Sequence, residues 1–265
     1  MSVKYFQERR NILANAPKKK SGKKTVRAKK PIILRPTLRQ RMASLFKWTI
    51  LALITIIVLP FALTVLYRWE AIHPTSTLML SRHLAFKPVD RRWIELDDMA
   101  PAAYQAVMMS EDGQFCAHNG IDWNALNLVI SDAIDGEKTR GASTITMQTA
   151  KNLFLWGGRS YVRKALEIPL ALWIELVLPK KRIMEIYLNI AEWDDNGVFG
   201  IEAGSQSHFG VSAANLTRKQ AAYMAVTLPN PILREPSNPT KGLRRLASVN
   251  IKRAQNSGAY IKCLQ

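Results

Sequence analysis

Two acidic residues, Glu111 and Glu167, stand 56 residues apart, each in a short polar motif. EDGQFCAH begins at the first, RKALE ends at the second, and the polar run RGASTITMQTAKN lies between them. Two carboxylates that meet in a cleft can divide the roles of base and electrostatic support in a reaction at an anomeric carbon. The pair therefore predicts a glycosyl-transfer site with Glu111 as the candidate base, although a lone Glu-Asp pair is usually a solvated helix end.

The run between the two acids carries groups that suit a phosphate, namely Ser143, Thr144, Gln148 and Lys151. A helix N-terminus that offers free amides beside hydroxyls binds phosphate well, but a capped surface helix explains this composition equally. Four cations follow within 14 residues, next to Glu167: Lys151, Arg159, Arg163 and Lys164. One such side chain alone is normally solvated, whereas the group favours a pyrophosphate site.

The residues after Glu111 predict a tight turn folded back over its carboxylate. Phe115 and His118 have a suitable spacing, and Gly120 lets the chain leave the turn. We therefore count Phe115 among the substrate-binding residues and expect His118 to brace the turn, because the four histidines form no HExxH-like metal-ligand pair. Glu167 faces inward on an apolar stretch, so it needs a neighbouring cation or a cleft.

A membrane anchor is indicated by residues 48–67, which run 20 residues without a charge. A cleaved signal peptide fits less well, because the run starts late and no clear small-residue cleavage site follows it. Of the net charge of +18, most lies in residues 1–47, which hold 15 Lys or Arg against one acid, Glu8. By the positive-inside rule this tail stays in the cytoplasm, and residues 68–265 form an extracytoplasmic domain.

The basic tail lacks apolar periodicity, so we expect it to be disordered. Nucleic acid is not an expected partner, because no stacking aromatics or recognition helix accompany the lysines.

Residues 68–265 are enough for one compact domain, and their pattern predicts an all-α fold, since no run shows the sustained alternation of exposed strands. Asp97 or Asp98 is the expected cap of the first helix and Ser143 of the third. Pro169 is expected to interrupt the helix that Ser160 opens. The predicted helices span 101–111, 123–134, 143–152, 160–178, 180–193, 199–209, 217–228 and 240–256.

Two features leave alternatives open. Cys116 and Cys263 can form a bridge, but two free thiols are the favoured interpretation. The apolar segment LFLW, residues 153–156, is either ordinary core or a segment that dips into the bilayer surface, where Trp and Phe are favoured.

Taken in order, five motifs resemble those of the peptidoglycan glycosyltransferase family, in particular its monofunctional biosynthetic transglycosylases. The resemblance covers roughly residues 95–235. It rests on EDGQFCAHNGID, GASTITMQ, RKALE, KKRIMEIYLN, and GIEAGSQSHFG with the following LPNP. The chain departs from the usual pattern at Ala142, Met147 and His208, which puts fine substrate contacts in doubt but leaves both carboxylates in place.

The resemblance implies a lysozyme-like helical fold that polymerises lipid II into β-1,4-linked glycan strands. Glu111 would deprotonate the 4-hydroxyl of the incoming lipid II, which attacks the growing chain with inversion and expels undecaprenyl pyrophosphate. Glu167 would position substrates or assist departure of the pyrophosphate, with a divalent cation, Mg²⁺ or Mn²⁺, as an optional assistant. The implied substrate-binding residues are Phe115, Ser143, Thr144, Gln148, Lys151, Arg159, Arg163, Lys164 and Asn189.

Other functions compete with this one. A penicillin-binding transpeptidase needs Ser-x-x-Lys with downstream SxN and KTG-type motifs, and this sequence does not contain the three in that order. A membrane-anchored lysozyme-like muramidase or lytic transglycosylase is the closer alternative, but it has no pyrophosphate leaving group to hold. A noncatalytic scaffold would not need both glutamates. The favoured function implies lipid II, the glycan strand, the membrane and cell-wall synthesis or division proteins as partners, and a place in the inner membrane facing the periplasm.

Overall fold

The structure is a computed structural model that describes residues 37–136, 141–158 and 160–265. Most of the predicted disordered tail, together with Arg159, lies outside the described residues. By its contacts the chain divides into two units, residues 1–49 and 50–265. The second unit contains the candidate site.

Helix α1 (Leu38–Leu66) contains the predicted apolar run and begins ten residues before it. Within the described part of the chain it is the one helix long and apolar enough to cross a membrane. Residues 38–47, which we assigned to the disordered tail, are helical because Leu, Arg, Gln, Met and Ala all favour helix. Pro60 lies inside the helix, where the Thr64 hydroxyl donates to its carbonyl at 2.8 Å.

The predicted all-α architecture is confirmed for the described residues, which form nine further helices after α1. These are α2 (Thr77–Leu84), α3 (Pro101–Glu111), α4 (Trp123–Ile134), α5 (Ile145–Phe154), α6 (Tyr161–Val177), α7 (Lys180–Ile190), α8 (Ile201–Phe209), α9 (Arg218–Thr227) and α10 (Lys241–Gln255). Two short strands, β1 (Asp90–Arg91) and β2 (Val198–Phe199), pair in parallel. Two residues are too few to show an alternating pattern, so no feature of the sequence predicts these strands.

Several helix boundaries differ from the prediction. Thr144, not Ser143, caps α5, because its hydroxyl oxygen accepts a hydrogen bond from the Met147 amide at 3.1 Å. Neither of the predicted aspartates caps α3, whose cap residue is Ala100 with proline at the first helical position. Helix α6 continues through Pro169 without interruption.

Helix α7 forms the centre of the domain, and its residues from Arg182 to Ile190 are all buried. Helices α5, α6 and α8 pack around it, while α3, α9 and α10 pack against one another. The guanidinium of Arg182 pairs with Glu185 and donates to the carbonyl oxygens of Tyr67, Trp69 and Ile72. The chain that leaves α1 is thereby fixed to the core.

A disulfide joins Cys116 to Cys263, 147 residues away, with the Cα atoms 5.6 Å apart. The prediction of free thiols was wrong. Sequence separation alone cannot show that the turn after α3 and the segment after α10 meet in space. The bridge agrees with an oxidising compartment for this domain.

Candidate active site

Glu111 is the last residue of α3, and its position is fixed by the packing of that helix. Ala103, Ala106 and Val107 are buried on the inner face of α3. The neighbouring Ser110 hydroxyl donates to the Ala225 carbonyl on α9 at 3.2 Å. The carboxylate therefore stands at a helix end with little freedom of the backbone beneath it.

One carboxylate oxygen of Glu111 accepts a hydrogen bond and the other does not. Its Oε2 accepts a hydrogen bond from Gln148 Nε2 at 3.0 Å, and the Gln148 oxygen accepts one from the Tyr187 hydroxyl at 3.1 Å. Its Oε1 is buried and has no hydrogen-bond partner among the described residues. The geometry thus leaves one lone-pair site free for a proton.

Burial raises the pKa of Glu111 above the ordinary glutamate value. The hydrogen bond from Gln148, and after it the positive charge of Arg234, act in the opposite direction. The pKa of Tyr187 is raised well above its usual value, first by burial and then by the charges of Glu111 and Asp112. The phenol therefore stays neutral and donates, while Glu111 is a stronger base than an exposed carboxylate.

The turn after Glu111 is tied to the start of α5 through Asp112. This carboxylate accepts from His118 Nε2 at 3.0 Å and from the Ile145 amide at 2.9 Å. The Thr144 hydroxyl donates to the Gly120 carbonyl at 2.6 Å, and Gly120 has a φ of 86°. The expectation that His118 braces the turn is confirmed.

Glu167 lies in a second cluster and has two cationic partners, as its inward position required. It is 2% exposed. Arg163 Nη1 donates to its Oε1, and Lys164 Nζ donates to its Oε2 at 2.8 Å. The same ammonium donates to the Ser143 hydroxyl at 2.8 Å. The structure thus brings four of the predicted residues into one hydrogen-bonded group.

Lys151 lies between this group and a cleft of about 570 Å³. Burial lowers the pKa of Lys151, while the negative charge of Glu167 works against that shift. Among the described residues it forms no ion pair within 4 Å. The cleft is lined by Gln148, Lys151, Tyr187 and Glu192, with an apolar wall formed by residues such as Leu155, Trp156, Phe199, Leu228 and Pro229. A half-buried cation in a cleft is suited to bind an anion.

A second cavity, of about 580 Å³, borders Glu111 on a different set of residues. The residues 109–114 form one side, and Lys252, Arg253, Asn256 and Tyr260 form the other. The Glu111–Gln148 hydrogen bond therefore joins a residue that lines one cavity to a residue that lines the other.

Two predicted substrate contacts are corrected by the structure. Phe115 is fully buried in the core, where the Lys180 ammonium lies 4.3 Å from its ring centre. Asn189 is also fully buried, and its amide bonds the backbone of Ile94 at 3.0 and 2.8 Å. Both side chains stabilise the fold and have no surface to offer a ligand.

The burial of each side chain shows which part of LFLW, residues 153–156, is ordinary core and which part is exposed. Leu153 and Leu155 are buried in the core, while Trp156 is 51% exposed and lines the cleft. Trp156 is thus the exposed side chain of the segment, while Phe154 and Leu155 contribute to the cleft wall.

Comparison with known proteins decides the family. The sequence model of the family described as Transglycosylase matches residues 79–255. This chain belongs to the transglycosylase family. The matched range contains both carboxylates, Lys151 and the residues that line the cleft.

Curated relatives of this transglycosylase carry the name biosynthetic peptidoglycan transglycosylase. One from Rhizobium meliloti is 59% identical over 211 residues, which are 80% of this chain and 89% of that protein. One from Agrobacterium fabrum is 53% identical over 83% of this chain and 97% of its own length. One from Brucella suis is 53% identical over 80% of this chain and 95% of its own length.

Two cleft residues of this transglycosylase were missed by sequence reasoning. Tyr187 lies in the motif KKRIMEIYLN but reads as an ordinary core aromatic. Glu192 follows the same helix and reads as the first of several surface acids. Only the path of the chain after α7 shows that Glu192 lines the same cleft as Lys151.

Proposed function

We propose that this protein polymerises lipid II into β-1,4-linked glycan strands for the cell wall and releases undecaprenyl pyrophosphate. The observation that carries the proposal is the position of Gln148, which hydrogen bonds the candidate base Glu111 and lines the same cleft as the half-buried cation Lys151. A glycosyl transfer from a pyrophosphate-linked donor needs both groups, because a proton leaves the acceptor and a doubly charged group leaves the donor.

In the proposed reaction the Glu111 carboxylate takes the proton of the 4-hydroxyl of the acceptor sugar. The freed oxygen attacks the anomeric carbon of the donor sugar from the face opposite the pyrophosphate. The bond between that carbon and the pyrophosphate oxygen breaks, and the electron pair leaves with the pyrophosphate, so the configuration inverts. Lys151 lies where its charge can stabilise the departing group.

Glu167 has a supporting role in this scheme. Its carboxylate pairs with Arg163 and Lys164, and its negative charge opposes the lowering of the Lys151 pKa by burial, which favours the charged ammonium. Ser143 and Thr144 act through these groups and through the start of α5. Arg159 stays a predicted pyrophosphate ligand, since it lies outside the described residues.

A divalent cation does not fit Glu167 in the described arrangement. Both carboxylate oxygens already accept hydrogen bonds from cationic side chains. Among the described residues there is also no group of three or more His, Cys, Asp and Glu suited to a metal ion. The proposed steps therefore use no metal, and assistance by Mg²⁺ or Mn²⁺ stays a prediction.

A lysozyme-like hydrolase remains the alternative, because a glutamate with a raised pKa also serves as a general acid. The discriminating feature is Lys151, which has no function in a reaction without an anionic leaving group. A hydrolase would release sugars from a finished glycan, whereas the proposed enzyme would consume lipid II.

The proposal is tested by incubating the full-length protein in detergent with labelled lipid II. We expect polymer that lysozyme digests, and we expect Glu111→Gln to abolish it while the protein stays folded. Glu95→Gln is the matched control, because Glu95 is exposed and lines neither cavity. Polymerisation that survives Glu111→Gln would contradict the mechanism, and loss of preformed glycan would support the hydrolase.

The proposed location is the inner membrane, with the domain on the periplasmic side and the tail in the cytoplasm. Its support is the contact between α6 and the end of α1. Trp173 donates to the Phe61 carbonyl at 3.1 Å, and Arg68 donates to the Val177 carbonyl at 2.8 Å. Leu176, beside them, is 77% exposed. An apolar side chain next to the membrane helix suits the bilayer surface, where a lipid-linked substrate resides.

Contacts with other cell-wall synthesis or division proteins stay a prediction from the resemblance.

A further inference from the structure

Glu192 is a carboxylate in the Lys151 cleft that the proposed reaction does not use. It is partly buried, and burial raises its pKa while the positive charge of Arg82 lowers it. Among the described residues its side chain has no hydrogen-bond donor and no cation within 4 Å. The Glu192 oxygens are not among the buried atoms without a partner, so they are accessible in the cleft and free to accept hydrogen bonds from a bound ligand.

The position of Glu192 is fixed by the hairpin of residues 191–200. Glu192 pairs with Phe199, and the Trp193 amide donates to the Val198 carbonyl at 2.9 Å. The Asp194 carboxylate accepts from the Asn196 amide at 2.8 Å inside the turn. The carboxylate is thus presented to the cleft by a rigid backbone.

The hairpin is also anchored from outside. Arg82 on α2 donates to the Asp195 carbonyl at 3.0 Å and to the Pro88 carbonyl at 3.1 Å. Gly197 lies so close to Pro88 that a Cβ atom would come within 2.3 Å of its carbonyl oxygen. The cleft wall that carries Glu192 therefore has little room to move.

The cleft lining carries charges of both signs. Lys151 on α5 offers a positive charge, and Glu192 on the hairpin offers a negative one. They do not form an ion pair, so both remain available to a ligand. An anionic group would be repelled by Glu192, whereas neutral hydroxyl or amide N–H groups would be attracted.

We propose that Glu192 is a positioning residue that accepts hydrogen bonds from hydroxyl or acetamido N–H groups of the sugar bound in the cleft. This inference rests on the proposed function, in which the ligand has a pyrophosphate at one end and sugars at the other. Lys151 then holds the anionic end and Glu192 the neutral end. The pair fixes the direction in which the substrate lies.

The test compares the binding of two probes to the full-length protein in detergent. The first is a short-chain lipid II analogue, and the second is a polyprenyl pyrophosphate with the same chain and no sugar. We expect Glu192→Ala to weaken binding of the first probe by about tenfold or more, the usual loss for a hydrogen bond to a charged group. Binding of the second probe should stay unchanged or become slightly tighter, because a negative charge has been removed.

Two further variants complete the design. Glu192→Gln keeps an acceptor oxygen and should recover part of the lost affinity. Asp195→Ala removes an exposed acid of the same hairpin that does not line the cleft, and it should leave both probes unaffected.

Equal weakening of both probes by Glu192→Ala would assign the residue a structural role and overturn the inference. Unchanged binding of the lipid II analogue would overturn it as well. Failure of the proposed function is seen separately, in a wild-type protein that binds the analogue but forms no polymer. A wild-type protein that does not bind the analogue would overturn both.

Discussion

The basicity of Glu111 depends on its burial and on the hydrogen bond that its carboxylate accepts from Gln148. Burial raises the pKa, and the Gln148 amide stabilises the ionised form and lowers it. The proposed base acts only when ionised, so the rate should rise with pH as Glu111 loses its proton. The acidic limb of the pH profile should therefore lie above the range of an ordinary glutamate.

Replacing Gln148 by Met removes the hydrogen-bond donor while keeping the side-chain length. The pKa of Glu111 should rise further, and the acidic limb of kcat/KM should move to higher pH. The measurement is the pH–rate profile on a soluble lipid II analogue. Gln206→Met is the matched control, since that amide bonds Glu202 on α8. If the acidic limb of the kcat/KM profile does not shift in Gln148→Met, this hydrogen bond does not affect the pKa of Glu111.

For individual residues, the sequence predicted which residue types belong to the site, but it did not predict which side chains line the cleft. Lys151 and Gln148 could be found because phosphate and carboxylate chemistry requires a cation and a donor. Phe115 was misplaced because a sequence motif does not show on which side of a turn an aromatic ring packs. Glu192 was missed because Asp194 and Asp195 follow it closely, and a group of acids is typical of a surface loop. Only the folded hairpin shows that Glu192 lines the cleft and that Asp195 does not.

Among the described glycines, Gly197 in the hairpin of residues 191–200 leaves the least room for an added methyl group. Gly197 and Gly210 have φ values of 94° and 67°, so an L-residue is strained at either. A Cβ at Gly197 would also meet the Pro88 carbonyl at 2.3 Å, whereas a Cβ at Gly210 would meet nothing within 4 Å.

Gly197→Ala should therefore lower the melting temperature clearly more than Gly210→Ala does. The strain at each positive φ amounts to about 1 kcal/mol, and only the first variant adds a clash. Thermal unfolding of both variants in detergent measures the difference. Equal decreases in melting temperature would mean that the hairpin moves away from Pro88 with no measurable loss of stability.

The disulfide links the turn after α3 to the segment after α10 and closes a long loop. Replacing both Cys116 and Cys263 by Ser should lower the free energy of unfolding by about 2–5 kcal/mol, as is usual for loss of a native bridge. Thermal unfolding with and without reductant measures this. Two thiols that react with a thiol reagent in the native wild-type protein would contradict the bridge.

Helices were predicted best where a cap or a proline marks their limits. The ranges of α3, α4 and α10 agree with prediction to within a residue because Pro101, Asp135-Gly136 and Thr240 are local signals. The disulfide and the β1–β2 pair could not be predicted, since each joins segments more than 100 residues apart. Local propensity contains no information about such contacts.

For the whole molecule, the charge asymmetry across α1 determines the expected topology. A reporter fused before residue 1 should be active in the cytoplasm, and one fused after residue 265 should be active outside it. Replacing the lysines of PKKKSGKK by glutamine should weaken this orientation but leave lipid II polymerisation by the purified protein largely intact. An N-terminal reporter outside the cytoplasm would overturn the proposed orientation.

The bridge between Cys116 and Cys263 also determines at which stage of export the folded domain can be completed. On the proposed topology the domain is exported from its N-terminal side, so Cys116 enters the oxidising compartment first. Its partner emerges only after a further 147 residues have been synthesised and translocated. The turn that follows Glu111, the proposed base, therefore obtains its covalent support last, and completion of the folded domain follows completion of export.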